Sequence, residues 1–314
     1  LTIDSPTLPD TSQHSAPARA DHPLRGIALI VSSTVFLACS DALAKYLSLT
    51  LPAIEIAWIR FLVFFIIVIP MMVRTSGVFR STRPGLQMWR GVGLVLSSLF
   101  FISGLRFLHI AEASATSFIA PVFVTALSIV LLGEKVGVRR WAATSVGLVG
   151  VMIVVRPGSS AFHPAAIFPI MSALAWASTL TVTRMISGKD RTSTTMVYSA
   201  ITGLCLLTAM VPFVWVVPSW RDIFLGVCIG IASTTGQWIV VLAFRYADAS
   251  VLAPFSYSQL VWATILGFFI FGEAPDIWTI AGAAVIIGSG LYTAHRERLR
   301  RAQAPVPVEP YPSA

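Results

Sequence analysis

Between two polar ends, the chain alternates long apolar runs with short polar breaks. Ten runs fit this pattern, at residues 26–47, 54–73, 88–108, 111–132, 140–155, 165–186, 194–217, 222–243, 248–271 and 277–294. A helix that crosses a bilayer needs about 20 mainly apolar residues, and most of the runs reach that length. The fifth is short and can extend back through Arg139. A membrane barrel strand would instead alternate in polarity over about 10 residues, and these runs are continuously apolar. The pattern therefore predicts an all-α integral membrane protein with ten transmembrane helices. Residues 1–24, polar and rich in Ser, Pro and Asp, are expected to form a disordered tail without the apolar core of a signal peptide. Residues 296–314, basic and then Pro-rich, form a second tail.

Composition agrees with the pattern. Hydrophobic residues make up 56% of the 314 positions and charged residues 11%. A soluble domain carries about 25% charged residues, so this chain has too few to coat a water-facing surface. The net charge of +8 could suggest nucleic-acid binding, but in so apolar a chain Lys and Arg act as topology signals. With the N-terminus cytoplasmic, 17 of the 22 Lys and Arg fall in inner segments and three (Arg106, Arg156 and Arg221) in outer ones. Both termini are therefore expected in the cytoplasm. Cys39, Cys205 and Cys228 stand far apart inside apolar runs, and the five histidines form no ligand pattern. No metal site, disulfide framework, cofactor or catalytic triad is expected.

The chain also repeats. A shift of 139 residues carries Arg106 onto Arg245, Gly133 onto Gly272 and Glu134 onto Glu273 without a gap. The repeat unit is five predicted helices, residues 25–156 and 164–295. Five is odd, so the second unit enters the membrane from the opposite face. The expected architecture is two inverted five-helix repeats, a plan common among secondary transporters.

Several motifs carry a family resemblance. The runs Ala120-Pro121-Val122 to Gly133-Glu134 and Tyr257-Ser258-Gln259 to Gly272-Glu273 each close a helix on Gly-Glu. Trp89-Arg90-Gly91 and Trp58-Ile59-Arg60-Phe61 add to the pattern. Together they resemble the drug/metabolite transporter superfamily, EamA type, over residues 25–295. The resemblance implies ten helices, cytoplasmic termini, a bacterial inner-membrane location and a central substrate cavity between the halves. Asp41 to Lys45, Glu55 to Arg60 and Ala253-Pro254-Phe255 resemble more narrowly the S-adenosylmethionine uptake branch. One departure is that Leu260 stands where a counterpart of Pro121 would produce a mirrored kink.

Ionisable residues inside a membrane cost about 2.5–3.5 kcal/mol each on insertion scales, so they usually have partners or tasks. Asp41 and Lys45, four apart on the first helix, share a face. With Glu55 and Arg60 they are expected to form a charged cluster in the outer half of the cavity. It would bind a zwitterion or relay a proton; the alternative is a structural ion-pair network joining the first two helices. Trp176, Gln237, Tyr257 and Gln259 are candidates for aromatic and hydrogen-bonding walls. Packing between helices is the other reading for each, and Trp238 could face lipid. Ser114, Thr116 and Ser117 could touch substrate or satisfy backbone. Gly226 with Gly230, and Ala284 with Gly288, are expected to be close-packing faces. Pro121 and Pro254 are candidate hinges or passive bends. Arg106, Glu134, Arg245 and Glu273 are candidate gate or helix-end residues.

Glu134 and Glu273 are expected on opposite membrane faces, which excludes them as a catalytic carboxylate pair. There is no Gly-rich phosphate loop for direct ATP drive. The sequence therefore points to a carrier of a small organic metabolite (amino-acid-like, nucleoside-like or S-adenosylmethionine-like) working by alternating access, as a monomer or homodimer, with protons as a possible coupling partner. A non-transporting receptor, a structural subunit and a membrane-embedded enzyme are the rival readings.

Overall fold

The structure, a computed structural model, describes residues 23–133, 138–156, 163–186, 189–243, 246, 252 and 255–302. Their regular elements are all helical. The helices are α1 (Pro23–Leu47), α2 (Ala53–Arg74), α3 (Pro84–Leu105), α4 (Ile110–Ser117), α5 (Ala120–Leu132) and α6 (Val138–Val155), then α7 (Ile167–Ile186), α8 (Thr192–Met210), α9 (Trp220–Ala243), α10 (Ser258–Phe271) and α11 (Ile277–Ala302). Among the described residues seven helices are long and apolar enough to span a membrane: Leu24–Leu47, Ala53–Arg74, Pro84–Leu105, Ile110–Leu132, Pro164–Ile186, Thr192–Phe213 and Trp220–Val240. Shorter apolar helices cover Ser145–Val155, Ser258–Phe271 and Ile277–Tyr292. The protein is a multi-pass membrane protein. Its exposed Ile66, Ile69, Val73, Phe268 and Phe269 need a lipid neighbour rather than water.

The run at 111–132, expected as one helix, is interrupted. α4 ends at Ser117 and α5 starts at Ala120. Pro121 has no N–H, and its ring would meet the carbonyl of Ser117 four residues earlier, so the continuous ladder fails there. The backbone tightens instead, with Phe118 N–H donating to Ala115 O at 3.1 Å and Ile119 N–H to Thr116 O at 3.2 Å. A matching break occurs at Tyr257, although Leu260 rather than proline follows. There the Ser258 hydroxyl donates to Phe255 O at 2.7 Å and meets the Thr34 hydroxyl at 2.7 Å. A side-chain hydroxyl thus competes for a backbone carbonyl where the other half uses a proline.

The shift of 139 reappears in the helix boundaries. It carries Leu47 onto Ile186, Ala53 onto Thr192, Leu132 onto Phe271 and Val138 onto Ile277, each pair ending or opening a helix. Gly133 and Gly272, also equivalent, both take the left-handed conformation, with φ of 65° and 69°. A residue without Cβ adopts it at no steric cost and stops the helix. Packing is reciprocal too. α1 lies on α9 as α3 lies on α7, α1 on α10 as α7 on α5, and α2 on α9 as α8 on α3. The pairs α2 with α8 and α6 with α11 join equivalent helices. Each of these contacts of one half is thus matched by the corresponding contact of the other.

Small residues allow the close approaches. A Cβ on Gly226 would sit 2.7 Å from Ile59 Cγ2, and one on Gly230 would sit 2.4 Å from Val63 Cβ, so the expected packing face of α9 lies on α2. The other small pair is corrected. Nothing lies within 4 Å of a Cβ on Gly288, whereas one on Gly282 would meet Gly150 O at 2.6 Å. The seam between α6 and α11 therefore runs through Gly282, not through Ala284 and Gly288.

Candidate functional site

A cavity of about 660 Å³ lies between the two halves. It reaches the end of the bundle where α2 finishes and α3 and α8 begin, at Pro70, Met71, Arg90 and Met196. Five of the residues singled out in the sequence line it together: Asp41, Arg60, Trp176, Gln237 and Gln259. Asp41 accepts a hydrogen bond from Gln259 Nε2 at 3.1 Å, joining α1 to α10. Arg60 Nη1 reaches Ser98 Oγ at 3.5 Å, a weak contact. The Asp41 and Arg60 charges act on each other within the same cavity. Phe61, Phe64, Phe101 and Trp238 supply the aromatic walls, so Trp238 faces the cavity.

Hydroxyls complete the lining. Ser97 and Ser98 on α3 face the same space as Ser172 on α7 and Ser233 on α9. Ser172 Oγ donates to Ser97 O at 2.8 Å. Ser114 and Ser117 also line the cavity. Ser114 Oγ is buried there without a hydrogen-bond partner, a polar atom that a bound molecule could satisfy.

The expected four-charge cluster does not form. Asp41 and Arg60 stay in the cavity, but Lys45 and Glu55 leave it by different routes. Lys45 is 7% exposed and forms an ion pair with Glu273, while its Nζ also donates to Leu108 O at 2.7 Å. Glu273 in turn accepts from Ile110 N–H at 3.2 Å, and the Phe271 ring centroid lies 5.2 Å from Lys45 Nζ. This knot ties α1, the start of α4 and the end of α10 together at the far end of the bundle. One turn of helix separates Asp41 from Lys45, enough to carry the lysine past the cavity floor. Glu55, fully buried, accepts from Val216 N–H at 3.2 Å and anchors the segment before α9. The other reading, an ion-pair network joining α1 and α2 with Lys45 and Glu55 at the water interface, is corrected for these two residues, since both are buried and bonded elsewhere.

Tyr257 is not in the lining. It sits at the helix break with its ring 4.9 Å from that of Phe118, the residue equivalent to it in the first half. Its hydroxyl fills the space beside Gly290, where a Cβ would approach within 2.1 Å. Arg106 is exposed at the end of α3. Glu134 and Arg245 lie outside the described residues.

Sequence reasoning missed Arg90 as a cavity residue, counting it among the basic residues on the inner side. It is inside α3, lines the cavity, and donates from Nε to Thr183 Oγ1 at 2.9 Å and from Nη1 to Ser199 Oγ. The available signal was an arginine already within an apolar run. The serine pair 97–98, polar at the middle of the same run, was a second signal.

The EamA-like transporter family model matches residues 24–156 and again 163–293. The chain belongs to the EamA-like transporter family. Relatives agree in kind. An S-adenosylmethionine uptake transporter of Rickettsia prowazekii is 28% identical over 276 residues, covering 88% of this chain and 94% of its own. A riboflavin transporter of Vibrio cholerae is 29% identical, covering 85% of this chain and 91% of its own. A pseudopaline exporter of Pseudomonas aeruginosa is 29% identical, covering 83% and 93%. A solved crystal structure with 20% identity superposes with a TM-score of 0.61 over 88% of this chain and 99% of its own, which shows a shared fold. This EamA-like protein is a transporter of small metabolites set in a membrane, not an enzyme.

Proposed function

We propose that this protein is a ten-span secondary carrier that moves a small organic metabolite by alternating access. In this reading the seven long apolar helices and the three shorter apolar ones each make one crossing. Residues 25–156 and 164–295 form two five-span units of opposite orientation, flanked by cytoplasmic tails at 1–24 and 296–314. The bacterial inner membrane is the expected site. The cavity is completed by residues of one chain, so a monomer is a sufficient unit.

One observation carries this reading. The cavity between the halves reaches one end of the bundle at Pro70, Met71, Arg90 and Met196, and towards the other end, one turn of α1 beyond Asp41, Lys45 is buried in its ion pair with Glu273. With both termini cytoplasmic, this reading puts the closed end outside and the open end of the cavity towards the cytoplasm. Breaking the knot between α1, α4 and α10 while bringing α3, α7 and α8 together would expose the same lining outward. Glu273 is then a gate residue, and Asp41, Arg60 and Gln259 hold the substrate at the closed end of the cavity. Asp41 is the residue placed to carry a proton if a proton gradient drives the cycle.

Relatives that carry S-adenosylmethionine and riboflavin set the starting panel of cargoes, with amino acids and nucleosides added. The test is counterflow into proteoliposomes loaded with each compound, with and without a pH gradient. Flux of at least one organic metabolite is expected, with a loss of tenfold or more in Asp41→Asn and Arg60→Gln at unchanged protein level. Full flux in both variants would remove these residues from the site. Absence of flux for every compound, with ligand binding retained, would favour a receptor.

A further inference from the structure

Among the described residues, the charged side chains of the cavity lining are those of Asp41, Arg60 and Arg90. An arginine stays ionised in any protein setting. The lining therefore holds one positive charge in excess when Asp41 is ionised, and two when it carries a proton. The hydrogen-bond partners of both arginines are neutral. Arg90 is held by the hydroxyls of Thr183 and Ser199, and Arg60 touches Ser98 at 3.5 Å. A guanidinium has five N–H donors, so each arginine keeps donors free of hydroxyl partners. Cations placed among apolar helices with a single carboxylate between them carry a desolvation cost that an anion can offset.

The two arginines are also stepped along the cavity. Ser98, which Arg60 reaches, lies eight residues beyond Arg90 on α3. At 1.5 Å per residue that is about 12 Å along the helix axis. Arg90 stands near the open end and Arg60 near the closed end beside Asp41 and Gln259. An entering anion meets one guanidinium first and the other at the cavity floor. There Asp41 and the amide of Gln259 can take an ammonium or another donor group of the same molecule.

From this arrangement we infer that the preferred cargo carries at least one carboxylate or phosphate and is net negative, and that Arg90 selects for that charge. This rests on the carrier reading and narrows it. A net cation of the S-adenosylmethionine type is disfavoured by the lining, whatever the name of the relatives. The aromatic walls of Phe61, Phe64, Phe101 and Trp176 provide for an organic body behind the anionic group.

The test uses the full chain purified in detergent and three pairs of compounds that differ mainly in charge: glutamate and glutamine, S-adenosylhomocysteine and S-adenosylmethionine, flavin mononucleotide and riboflavin. Binding is read by titration calorimetry and by the rise in unfolding temperature. The more negative member of a pair is expected to bind at least tenfold more tightly. Arg90→Gln should abolish that advantage, while Arg90→Lys keeps part of it. Equal or absent binding by both members of every pair, or tighter binding by the less negative ones, overturns the inference. The wild-type ranking tests it even if Arg90→Gln fails to fold. Counterflow of the bound compound tests the carrier reading separately: binding with the expected charge preference but without flux would sink that reading and leave the preference standing.

Discussion

At the closed end of the bundle Lys45 is buried, paired with Glu273 and bonded to Leu108; at the open end its repeat equivalent, Arg184, is exposed and reaches Ser128 Oγ at 3.4 Å. The backbone around the two cations is nearly the same. α1 and α7 end at equivalent residues, and α5 and α10 both stop on a left-handed glycine. Local structure is therefore repeated while the tertiary contact is not. Helix length and helix stops follow from signals within a few residues, which both halves possess. An ion pair between α1 and the residue that follows the glycine stop of α10 depends on how the halves are docked. Under the carrier reading, the difference between the ends belongs to one conformation, and the opposite conformation would exchange their arrangements.

The largest expected effect comes from removing one partner of the buried pair. In Glu273→Gln, Lys45 keeps its charge in a buried site with a carbonyl and an amide for partners. Breaking a buried pair in this way costs about 3–5 kcal/mol. The closed end should open more often. A cysteine introduced at Leu108, itself 2% exposed, should react with a thiol reagent at least tenfold faster in Glu273→Gln than in the parent. The exchange Lys45→Glu with Glu273→Lys should restore slow labelling. Unchanged labelling in Glu273→Gln would mean that apolar packing, not this pair, closes the end. Arg184→Gln, at an exposed position, should change stability by no more than about 0.5 kcal/mol in this conformation.

The same comparison can be tested on the two seams where equivalent helices meet. On the α6–α11 seam, a Cβ on Gly282 would meet the Gly150 carbonyl oxygen at 2.6 Å. A backbone atom cannot rotate away, so Gly282→Ala is expected to cost about 1–3 kcal/mol. On the α2–α8 seam, a Cβ on Gly203 would meet the Phe61 ring at 2.3 Å, and a side chain has some freedom to turn. Gly203→Ala should therefore cost less than Gly282→Ala, and Gly288→Ala, facing open space, should be close to neutral. Unfolding temperatures of the three variants check the ranking. A Gly288 variant as damaged as the Gly282 variant would contradict the placement of the seam.

These contrasts explain what could be seen in the sequence. The helical plan was legible because a spanning segment must be apolar along nearly its whole length, a constraint that leaves a direct trace. Repeat equivalence was legible from Arg106, Gly133 and Glu134 against Arg245, Gly272 and Glu273. The break before Pro121 had a local cause that proline announces. The break at Tyr257 did not, because it rests on a Ser258 hydroxyl competing for a carbonyl, and serine inside an apolar run has many other uses. Asp41, Arg60, Trp176, Gln237 and Gln259 were legible as polar or aromatic residues inside apolar runs. The partner of Lys45 was not. Glu273 is 228 residues away, and proximity on α1 favoured Asp41 instead. Arg90 was hidden because arginine near a loop is also the common topology signal.

The smallest expected effect concerns loops at the open end, where the two halves are joined by hydrogen bonds rather than by a buried ion pair. Asp190, between α7 and α8, accepts from Thr82 N–H at 2.9 Å, Thr82 Oγ1 at 3.0 Å, Gln87 Nε2 at 2.8 Å and the Ser81 hydroxyl. Desolvation raises the pKa of its carboxyl, but the bonds from Ser81, Thr82 and Gln87 outweigh that and bring it from 3.8 to about 2. Because the folded value is depressed, the carboxylate contributes stability above its unfolded pKa. That contribution is lost as pH falls from about 4 through about 2. Asp190→Asn should therefore unfold at a lower temperature than the parent at pH 7, and the gap should narrow as the pH is lowered through that window. Glu273→Gln supplies the contrast at the other end, where loss of charge leaves Lys45 unpaired. A gap for Asp190→Asn that stays constant down to pH 3 would show that its four hydrogen bonds do not depend on the ionised carboxylate, and that the open end is held by something other than this loop contact.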